Sequence, residues 1–232
     1  MPDLLAIGVS GLRVSQTALA VTGNNITNTD TPGYTRQQAM QVSKNSQQLG
    51  ATYLGSGASI TDVRRIYSGY LTTQVRTATA LDSDAQTYLT EINQVNSLLA
   101  DSTTGITAVM ENFFAALQTA AASPTDTASR QLLLTQASTL GERFNSIYSQ
   151  LAEQNGYINQ QLSSMVQQVN SLAASVAQYN QAIVNASASG ASPNDLLDQR
   201  DEAVRELSEL IGVTVVEQDG SYNLFIGNEI GR

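Results

Sequence analysis

The apolar residues between Ser129 and Ile183 recur at alternating steps of three and four residues, and Gln, Ser and Asn fill the positions between them. This spacing predicts one apolar stripe along a single very long helix, which would reach roughly 80 Å at a rise of about 1.5 Å per residue. The spacing slips once, near Gln154, Asn155 and Gly156, where the stripe becomes polar and the local supercoil is expected to change. A helix of this length is too long for the core of a compact enzyme, so its stripe must pack along other helices. The stripe comprises Leu133, Ala137, Leu140, Phe144, Ile147, Leu151, Ile158, Leu162, Met165, Val169, Leu172, Val176, Tyr179 and Ile183.

Three other stretches have the same helical period and provide neighbours for the long helix. A second helix is predicted from Val63 to Leu99, and a shorter one follows a break at residues 101–105. A helix near the end of the chain is predicted to begin with Ser192 as its N-cap and to end at Gly212. These stretches predict a mainly α fold, an elongated antiparallel bundle of long helices. The apolar face of the shorter helix comprises Ile106, Met110, Phe113, Leu117 and Ala120.

The first helix is predicted over residues 3–27, where large apolar residues recur every seven positions. It also contains three glycines, each of which weakens a helix by up to about 1 kcal/mol relative to Ala. Such a helix is marginal in water by itself, so it needs a partner from this chain or from another copy. The segment Asn24–Gln37 is rich in Asn, Thr, Pro and Gly and predicts a turn that ends the helix. The repeating apolar residues are Leu5, Leu12, Leu19 and Ile26.

Strand patterns are short and lie at the two ends of the chain. Met40 and Val42 alternate with polar residues as in an edge strand, inside an otherwise irregular connecting segment that reaches Asp62. Near the C-terminal end, residues 213–217 and 222–226 predict a hairpin across an Asp-Gly turn. An isolated hairpin is barely stable, so we expect it to open a β-rich domain that continues beyond this sequence. The predicted organisation is therefore an inner region at 1–62, a helical bundle at 63–211 and the start of a β-rich domain at 212–232.

Composition excludes several classes of function. The formal charge is −9, from 11 basic and 20 acidic residues, which argues against nucleic-acid binding. His and Cys are absent, which excludes disulfides, Cys/His metal sites and His-dependent nucleophilic catalysis. Lys44 is the single lysine, and Gly55-Ser56-Gly57 lacks the residues of a phosphate loop. We therefore expect no cofactor, no metal and no enzymatic activity.

The sequence pattern indicates neither a membrane span nor a secretory signal. The sequence contains no unbroken run of about 20 apolar residues, so we expect no membrane-inserted segment. Its start, Met1-Pro2-Asp3-Leu4, lacks the basic and apolar regions of a secretory signal. If the protein leaves the cell, we expect a route that leaves its N-terminus intact.

The most acidic helix follows Ser192. Its carboxylates lie near a helix N-terminus, where they interact favourably with the helix dipole, so a structural role is preferred over catalysis or metal binding. Asp201 and Arg205, four residues apart, are expected to form an exposed pair worth a few tenths of a kcal/mol.

Several strings in the chain resemble a known family. Ser10-Gly11-Leu12, Asn25-Ile26-Thr27-Asn28 and Thr31-Pro32-Gly33-Tyr34 are similar to the N-terminal signature of bacterial flagellar axial proteins, which rod, hook and hook-associated proteins share. The segment Asn194–Asp201, followed by Glu206-Leu207-Ser208, resembles the hook-associated protein 1 (FlgK) family rather than rod or hook protein. Phe113–Gln118 and Ala128–Gln131 match the same family. The resemblance extends over almost the whole chain.

The resemblance implies a structural role. In this family the N-terminal helices of many copies pack around a central channel, so the chain is expected to be a secreted, extracellular flagellar subunit at the hook–filament junction. Its implied partners are further copies of itself, hook protein, hook-associated protein 3, the flagellar export apparatus and an export chaperone. The family's C-terminal helix, on which chaperone binding depends, is absent from this sequence. The implied assembly-interface candidates are Leu5, Leu12, Leu19, Asn25, Ile26, Asn28, Pro32, Gly33 and Tyr34.

Three other interpretations remain open at this point. A hook or distal-rod protein shares the N-terminal signature, but the long heptad helix and the Asn194–Asp201 segment favour the junction family. A coiled-coil signalling or sensor module would explain the heptads, yet it requires a membrane span or a kinase-binding surface. An enzyme would require a site built from carboxylates or from Lys44.

Overall fold

The computed structural model describes residues 4–100 and 105–227. Within these ranges the chain forms five helices and three pairs of antiparallel strands, which confirms the mainly α fold. The helices are α1 (Leu4–Thr27), α2 (Gly69–Ala100), α3 (Ile106–Ala122), α4 (Thr127–Ala188) and α5 (Asn194–Leu210). The strands are β1 (Gln37–Ser43), β2 (Gln47–Leu49), β3 (Thr52–Leu54), β4 (Ala58–Arg65), β5 (Val213–Gln218) and β6 (Ser221–Ile226).

The long helix predicted from the heptad spacing is confirmed as α4, which has 62 residues. It begins after Asp126, whose carboxylate accepts the N–H of Ser129 at 3.0 Å and so satisfies a free donor of the first turn. Where the stripe becomes polar, Gln154 donates from Nε2 to Glu91 Oε2 of α2 at 3.0 Å. The slip in the spacing is thus a polar contact between helices, and the helix itself continues.

The predicted start of α2 is wrong by six residues, because the helix begins at Gly69 and not at Val63. Val63 to Arg65 belong to β4, and Ile66 continues the pairing by donating its N–H to Arg36 O at 2.8 Å. The apolar residues around Val63 therefore belong to a strand and not to the start of a helix. The predicted break before α3 falls partly on residues 101–104, which lie outside the described residues.

The N-terminus of α5 also differs from the prediction. Pro193, not Ser192, occupies the N-cap position, and no side chain caps the helix there. The Ser192 hydroxyl instead donates to the carboxylate of Asp62. The Ser192 side chain thus binds a residue distant in sequence and does not cap the helix as the sequence pattern indicated.

Residues 37–65 are more regular than the connecting segment that we expected. β1 pairs with β4 in antiparallel register from Gln37 opposite Arg65 to Ser43 opposite Ala58, with a bulge after Met40. Between them, β2 and β3 form a smaller hairpin. The polar composition of these strands hid their alternating pattern from sequence reasoning.

The C-terminal hairpin is confirmed, and it packs on helices. β5 and β6 pair across Asp219 and Gly220, whose φ angles of 51° and 77° are those of a type I′ turn. Tyr222 of this hairpin is buried together with Val176 of α4 and Val204 of α5. That this hairpin opens a further β-rich domain stays a prediction.

The contacts divide the chain into two compact units. The first unit comprises Met1–Ala80 and Val169–Arg232, and its buried cluster is the one around Val176, Val204 and Tyr222. The second unit comprises Leu81–Gln168, where Ala116, Ala120 and Ile147 are buried between helices. The predicted three-part division of the sequence stays a prediction, although β4 crosses its first boundary.

Helix α1 is long and apolar enough to cross a membrane, judged by length and composition alone. We expected no segment apolar enough to span a membrane, and this was wrong, because small residues between the leucines keep the helix apolar and Arg13 is its single charged residue. An apolar helix also suits packing against other helices, so the same composition has two explanations. That the chain does not insert into a membrane stays a prediction.

Candidate functional site

Helix α1 has two faces with different surroundings. One face packs on β1 and β4, and its residues are buried or half-buried. The heptad leucines lie on the opposite face, since Leu5 and Val14 are nine residues apart and therefore about half a turn around the helix from each other. Leu5, Leu12, Leu19 and Ile26 are 60–75% exposed. The packed face comprises Ile7, Ser10, Val14, Thr17, Val21 and Asn25.

Ser10 anchors the first half of α1 to β4. Its hydroxyl donates to Ile7 O at 2.7 Å and accepts the N–H of Ala58 at 3.2 Å. Gly57 has a φ of 99°, and a Cβ at this position would overlap the Ser10 hydroxyl. Glycine is thus required there both for its backbone conformation and for the close approach of the helix.

Asn25 anchors the other end of α1 to β1. Its Oδ1 accepts the N–H of Gln37 at 2.8 Å, and its Nδ2 donates to Gln37 O at 2.8 Å. The side-chain amide therefore pairs with both backbone groups of Gln37, much as a neighbouring strand would. The Tyr34 hydroxyl donates to the same Oδ1 at 2.9 Å, which closes the turn between helix and strand.

The turn after α1 is held by α5, from the far end of the chain. The N–H of Thr35 donates to Asp198 Oδ2 at 2.9 Å, and Gln37 Nε2 donates to Asp195 Oδ1 at 3.0 Å. Asp198 is buried, so its carboxylate requires such partners. We call these contacts, together with that of Gly33 and Glu202, the loop clasp. Its members are Gly33, Thr35 and Gln37 on the turn and Asp195, Asp198 and Glu202 on α5.

Gly33 is the point of closest approach in the loop clasp. Its φ is 74°, and a Cβ added to it would lie 2.8 Å from Cβ of Glu202. Atoms of this kind do not pack so closely, so a larger residue requires one of the two backbones to move. The glycine of the Pro-Gly-Tyr string thus serves both the turn and the contact with α5.

Asp201 is the centre of an ionic network one turn further along α5. Its two oxygens accept from Arg65 Nη1 at 2.7 Å and from Arg76 Nη2 at 2.8 Å. The Tyr222 hydroxyl donates to Asp201 at 2.8 Å, and Arg65 also pairs with Asp198 at 2.9 Å. This network joins β4, α2, α5 and β6 through groups that are at most 12% exposed.

The predicted exposed pair of Asp201 with Arg205 is wrong. Arg205 instead pairs with Glu202 at 2.6 Å and with Glu209. Asp201 points inwards, where two guanidinium groups neutralise it. The spacing of four residues was compatible with a pair, but stronger partners from other elements took its place.

Arg200 connects α5 to the hairpin. It is 1% exposed, and its Nη1 donates to Gly220 O at 2.6 Å and to Asn180 Oδ1 at 3.1 Å. Its guanidinium lies 3.5 Å from the centre of the Tyr222 ring, a cation–π contact. Asn180 in turn pairs with both backbone groups of Tyr222, at 2.9 and 3.0 Å.

The network shifts the pKa of its members. Burial is the main cause that raises the pKa of Tyr222, and the neighbouring Tyr67 hydroxyl and Asp201 carboxylate raise it further. Burial would lower the pKa of Arg65, but its hydrogen bonds and charge interactions with Asp198 and Asp201 outweigh this and raise it. Arg65 is therefore charged and Tyr222 neutral throughout the physiological range.

An open groove of about 490 Å³ lies beside the loop clasp, between the turn after α1, α4 and α5. Asn28 and Pro32 line it on one side, Tyr179 and the acidic Glu206 on the other. Burial, followed by the charges of Asp195 and Asp198, raises the pKa of Tyr34 at its edge. Among the described residues, no group of three or more His, Cys, Asp or Glu side chains is placed to hold a metal ion.

The structure separates the nine predicted interface residues into two sets. Leu5, Leu12, Leu19 and Ile26 are exposed on one face of α1. The other five surround the turn and make contacts within the chain or line the groove: Asn25, Asn28, Pro32, Gly33 and Tyr34. Whether any of them contacts another subunit stays a prediction.

Sequence reasoning missed the partners of these residues. Arg65, Arg76, Asn180 and Tyr222 were not singled out, because the residues that they contact lie 20 or more positions away in the chain. The available signal was the density of charge in the Asn194–Asp201 segment. A helical segment of eight residues that carries four charges, and in which Asn194, Asp198 and Arg200 are buried, requires charged or polar partners from elsewhere.

Comparisons with known proteins agree with one another. The family model described as the flagellar hook-associated protein FlgK helical domain matches residues 92–230, and that of the flagella basal body rod protein matches residues 5–35. Flagellar hook-associated protein 1 of Salmonella typhimurium is 36% identical over 98% of this chain, and that of Escherichia coli K12 is 33% identical over 98%. The chain spans 42% of the length of each of these relatives.

A solved structure gives the same result. The structure of the flagellar hook junction protein FlgK from Burkholderia pseudomallei resembles this chain with a TM-score of 0.59 and 38% sequence identity, over 66% of this chain and 27% of that one. The FlgK helical-domain model covers more than half of the chain. The chain therefore belongs to the family of the flagellar hook-associated protein FlgK.

Proposed function

We propose that this chain is part of a structural subunit that joins the hook to the filament of a bacterial flagellum. The subunit polymerises through α1, whose apolar face packs against copies of itself around the axis of the structure. The hook–filament position is proposed from the family and from the matching relatives, which are named hook-associated protein 1.

The observation that carries this proposal is the exposed heptad face of α1. Leu5, Leu12, Leu19 and Ile26 lie on the side of the helix opposite β1 and β4, and all are at least 60% exposed. Burial of each such side chain contributes about 1.5–3 kcal/mol before the cost of association. Four of them on one stripe form a surface that suits a neighbouring helix.

The proposed partners follow from the same role. Hook protein and hook-associated protein 3 would contact the subunit on its two sides, and the export apparatus with a chaperone would deliver it. The proposed location is extracellular, after export that leaves the N-terminus intact. The role requires no cofactor and no enzymatic activity.

A second candidate is an axial subunit of the hook or distal rod. It is favoured by the match of residues 5–35 to the rod-protein family model. That stretch covers α1 and the turn alone, whereas the FlgK model covers residues 92–230. We therefore prefer the junction.

Deletion of the gene that encodes this chain tests the proposal. We expect cells with hooks but no filaments, and flagellin lost to the medium, by electron microscopy and immunoblotting. Loss of the hook itself would favour the rod or hook candidate. Normal flagella in a strain without a second copy of the gene would refute both.

A further inference from the structure

We propose that α5 binds the turn that follows α1 within the same chain and holds it in one position. In this view Asn25, Gly33 and Tyr34 are positioning residues that act within one chain, and they fix the direction of α1 within the first unit. The loop clasp follows from the contacts themselves. Its purpose, the presentation of the exposed leucines of α1, rests on the proposed function.

The polar groups of the turn after α1 form their hydrogen bonds within the chain. The N–H of Thr35 donates to a buried carboxylate of α5, and the side chain of Gln37 donates to another. Asn25 and Tyr34 complete the turn from the side of α1. These polar groups are thus occupied inside the chain, so they have less capacity to recognise a neighbour.

The contact between Gly33 and α5 is limited by steric exclusion. Gly33 approaches Cβ of Glu202 so closely that no side chain fits between them. By contrast, Gly50 in the turn between β2 and β3 has a similar φ of 65°, but no atom of a described residue other than its chain neighbours lies within 4 Å of its Cβ position. Both glycines therefore require a positive φ, but only Gly33 also makes a close contact with Glu202.

The two halves of the loop clasp lie in segments that match different family models. The turn lies within or directly after the segment that matches the rod-protein model, and α5 lies within the segment that matches the FlgK helical domain. The turn, which carries a signature shared by several axial proteins, thus packs on a helix of the segment that matches the FlgK domain. The contact is specific because it includes the hydrogen bond between Gln37 and Asp195 and the close approach of Gly33 to Glu202.

The direct test compares Gly33→Asn with Gly50→Asn in the 232-residue chain, because Asn tolerates a positive φ better than most residues. Amide hydrogen exchange at Thr35, whose N–H donates to Asp198, is followed by NMR and reports opening of the clasp. We expect Gly33→Asn to accelerate exchange at this amide by about tenfold or more, and Gly50→Asn to leave it unchanged. Exchange within α5 should change little in either variant, which excludes general unfolding as the cause.

A second variant keeps the test decisive if Gly33→Asn folds poorly. Glu202→Gly removes the side chain that Gly33→Asn would strike, so the double variant should exchange close to Glu202→Gly alone. Lack of such coupling between the two sites would overturn the steric part of the proposal.

Assembly supplies the readout for positioning. In the gene deletion strain, the Gly33→Asn gene should restore fewer filaments than the wild-type gene, and Glu202→Gly should suppress the defect. If filaments are lost while exchange at Thr35 is unchanged, Gly33 acts between subunits and the proposal is wrong. If exchange rises and filaments form normally, the positioning role is wrong. Failure of the proposed function itself would show separately, as normal flagella in the deletion strain.

Discussion

Removal of the Asp201 carboxylate should destabilise the first unit more than removal of any exposed acid on α5. Asp201 neutralises Arg65 and Arg76 and accepts the Tyr222 hydroxyl, at distances of 2.7 to 2.8 Å. When one partner of a buried ion pair is removed, the charge that remains costs about 3–5 kcal/mol. The perturbation proposed is Asp201→Ala.

The contacts set the magnitude. Arg65 keeps Asp198 at 2.9 Å, so its charge remains paired. Arg76 loses its ion pair, and its Nε has no hydrogen-bond partner among the described residues. The lost hydrogen bond of Tyr222 adds about 1–3 kcal/mol, partly offset because its hydroxyl lies 3.4 Å from that of Tyr67. We expect a total loss of about 4–6 kcal/mol, a large share of the stability of a domain of this size.

Hydrogen exchange at the amides of α5 is the assay, since the chain has two compact units and one global transition is not assured. Glu206→Ala on the same helix is the control, because Glu206 is exposed, and it should change stability by less than about 0.5 kcal/mol. Addition of Arg76→Met to Asp201→Ala removes the orphaned charge and should restore part of the loss. A loss below about 1 kcal/mol, or no recovery in the double variant, would refute the reasoning.

Three further predictions follow from exposure and pKa. Leu12→Ser should change the free energy of unfolding of the monomer by less than about 0.5 kcal/mol and weaken self-association, whereas Val14→Ala on the packed face should lower the free energy of unfolding by about 1–2 kcal/mol. Thermal unfolding measures the stability and sedimentation measures the self-association. Equal losses of stability in the two variants would contradict two distinct faces of α1. The raised pKa of Tyr222 gives stability that is complete below its ordinary value near 10.0 and is lost as pH rises further. Tyr222→Phe should remove this alkaline loss in denaturant midpoints measured against pH, and an unchanged alkaline slope would count against it. Hydrogen bonds from Ser192 and Arg64 lower the pKa of Asp62 below its ordinary value near 3.8, so its stabilisation is present above that value and is lost as pH falls through the folded-state pKa. Asp62→Asn should flatten that acid limb, and an acid limb identical to that of the wild type would exclude this contribution.

The sequence predicted those elements whose signal is local. Helical period alone located α3, α4 and α5, and the Asp-Gly turn located the hairpin of β5 and β6, because neighbouring residues determine these features. The boundary of α2 was misplaced because Val63 and Arg65 pair with a strand more than 20 residues away. Such pairing leaves little trace in a polar sequence, so β4 resembled the start of a helix.

The candidate site was predictable in part. Exposed leucines at seven-residue spacing marked the outer face of α1, and the flagellar signature marked the turn after it. What the signature residues do could not be predicted, since the partner of Thr35 lies 163 positions away and that of Gln37 lies 158 positions away. Nothing in the local sequence indicates that the acids of α5 face this turn and not solvent.

The glycines of α1 connect the packing of this helix to its proposed role. Gly8 and Gly23 lie on the same side of the helix as the exposed leucines, and in the described part of the chain no atom beyond their chain neighbours and the helix's own backbone comes within 4 Å of their Cβ positions. Each weakens the helix by up to about 1 kcal/mol relative to Ala, and the packed face of α1 gains no contact in return. Glycine on an exposed apolar stripe allows the backbone of a neighbouring helix to come close. The same stripe thus combines apolar side chains with room between them, which a helix that packs only within its own chain would not require.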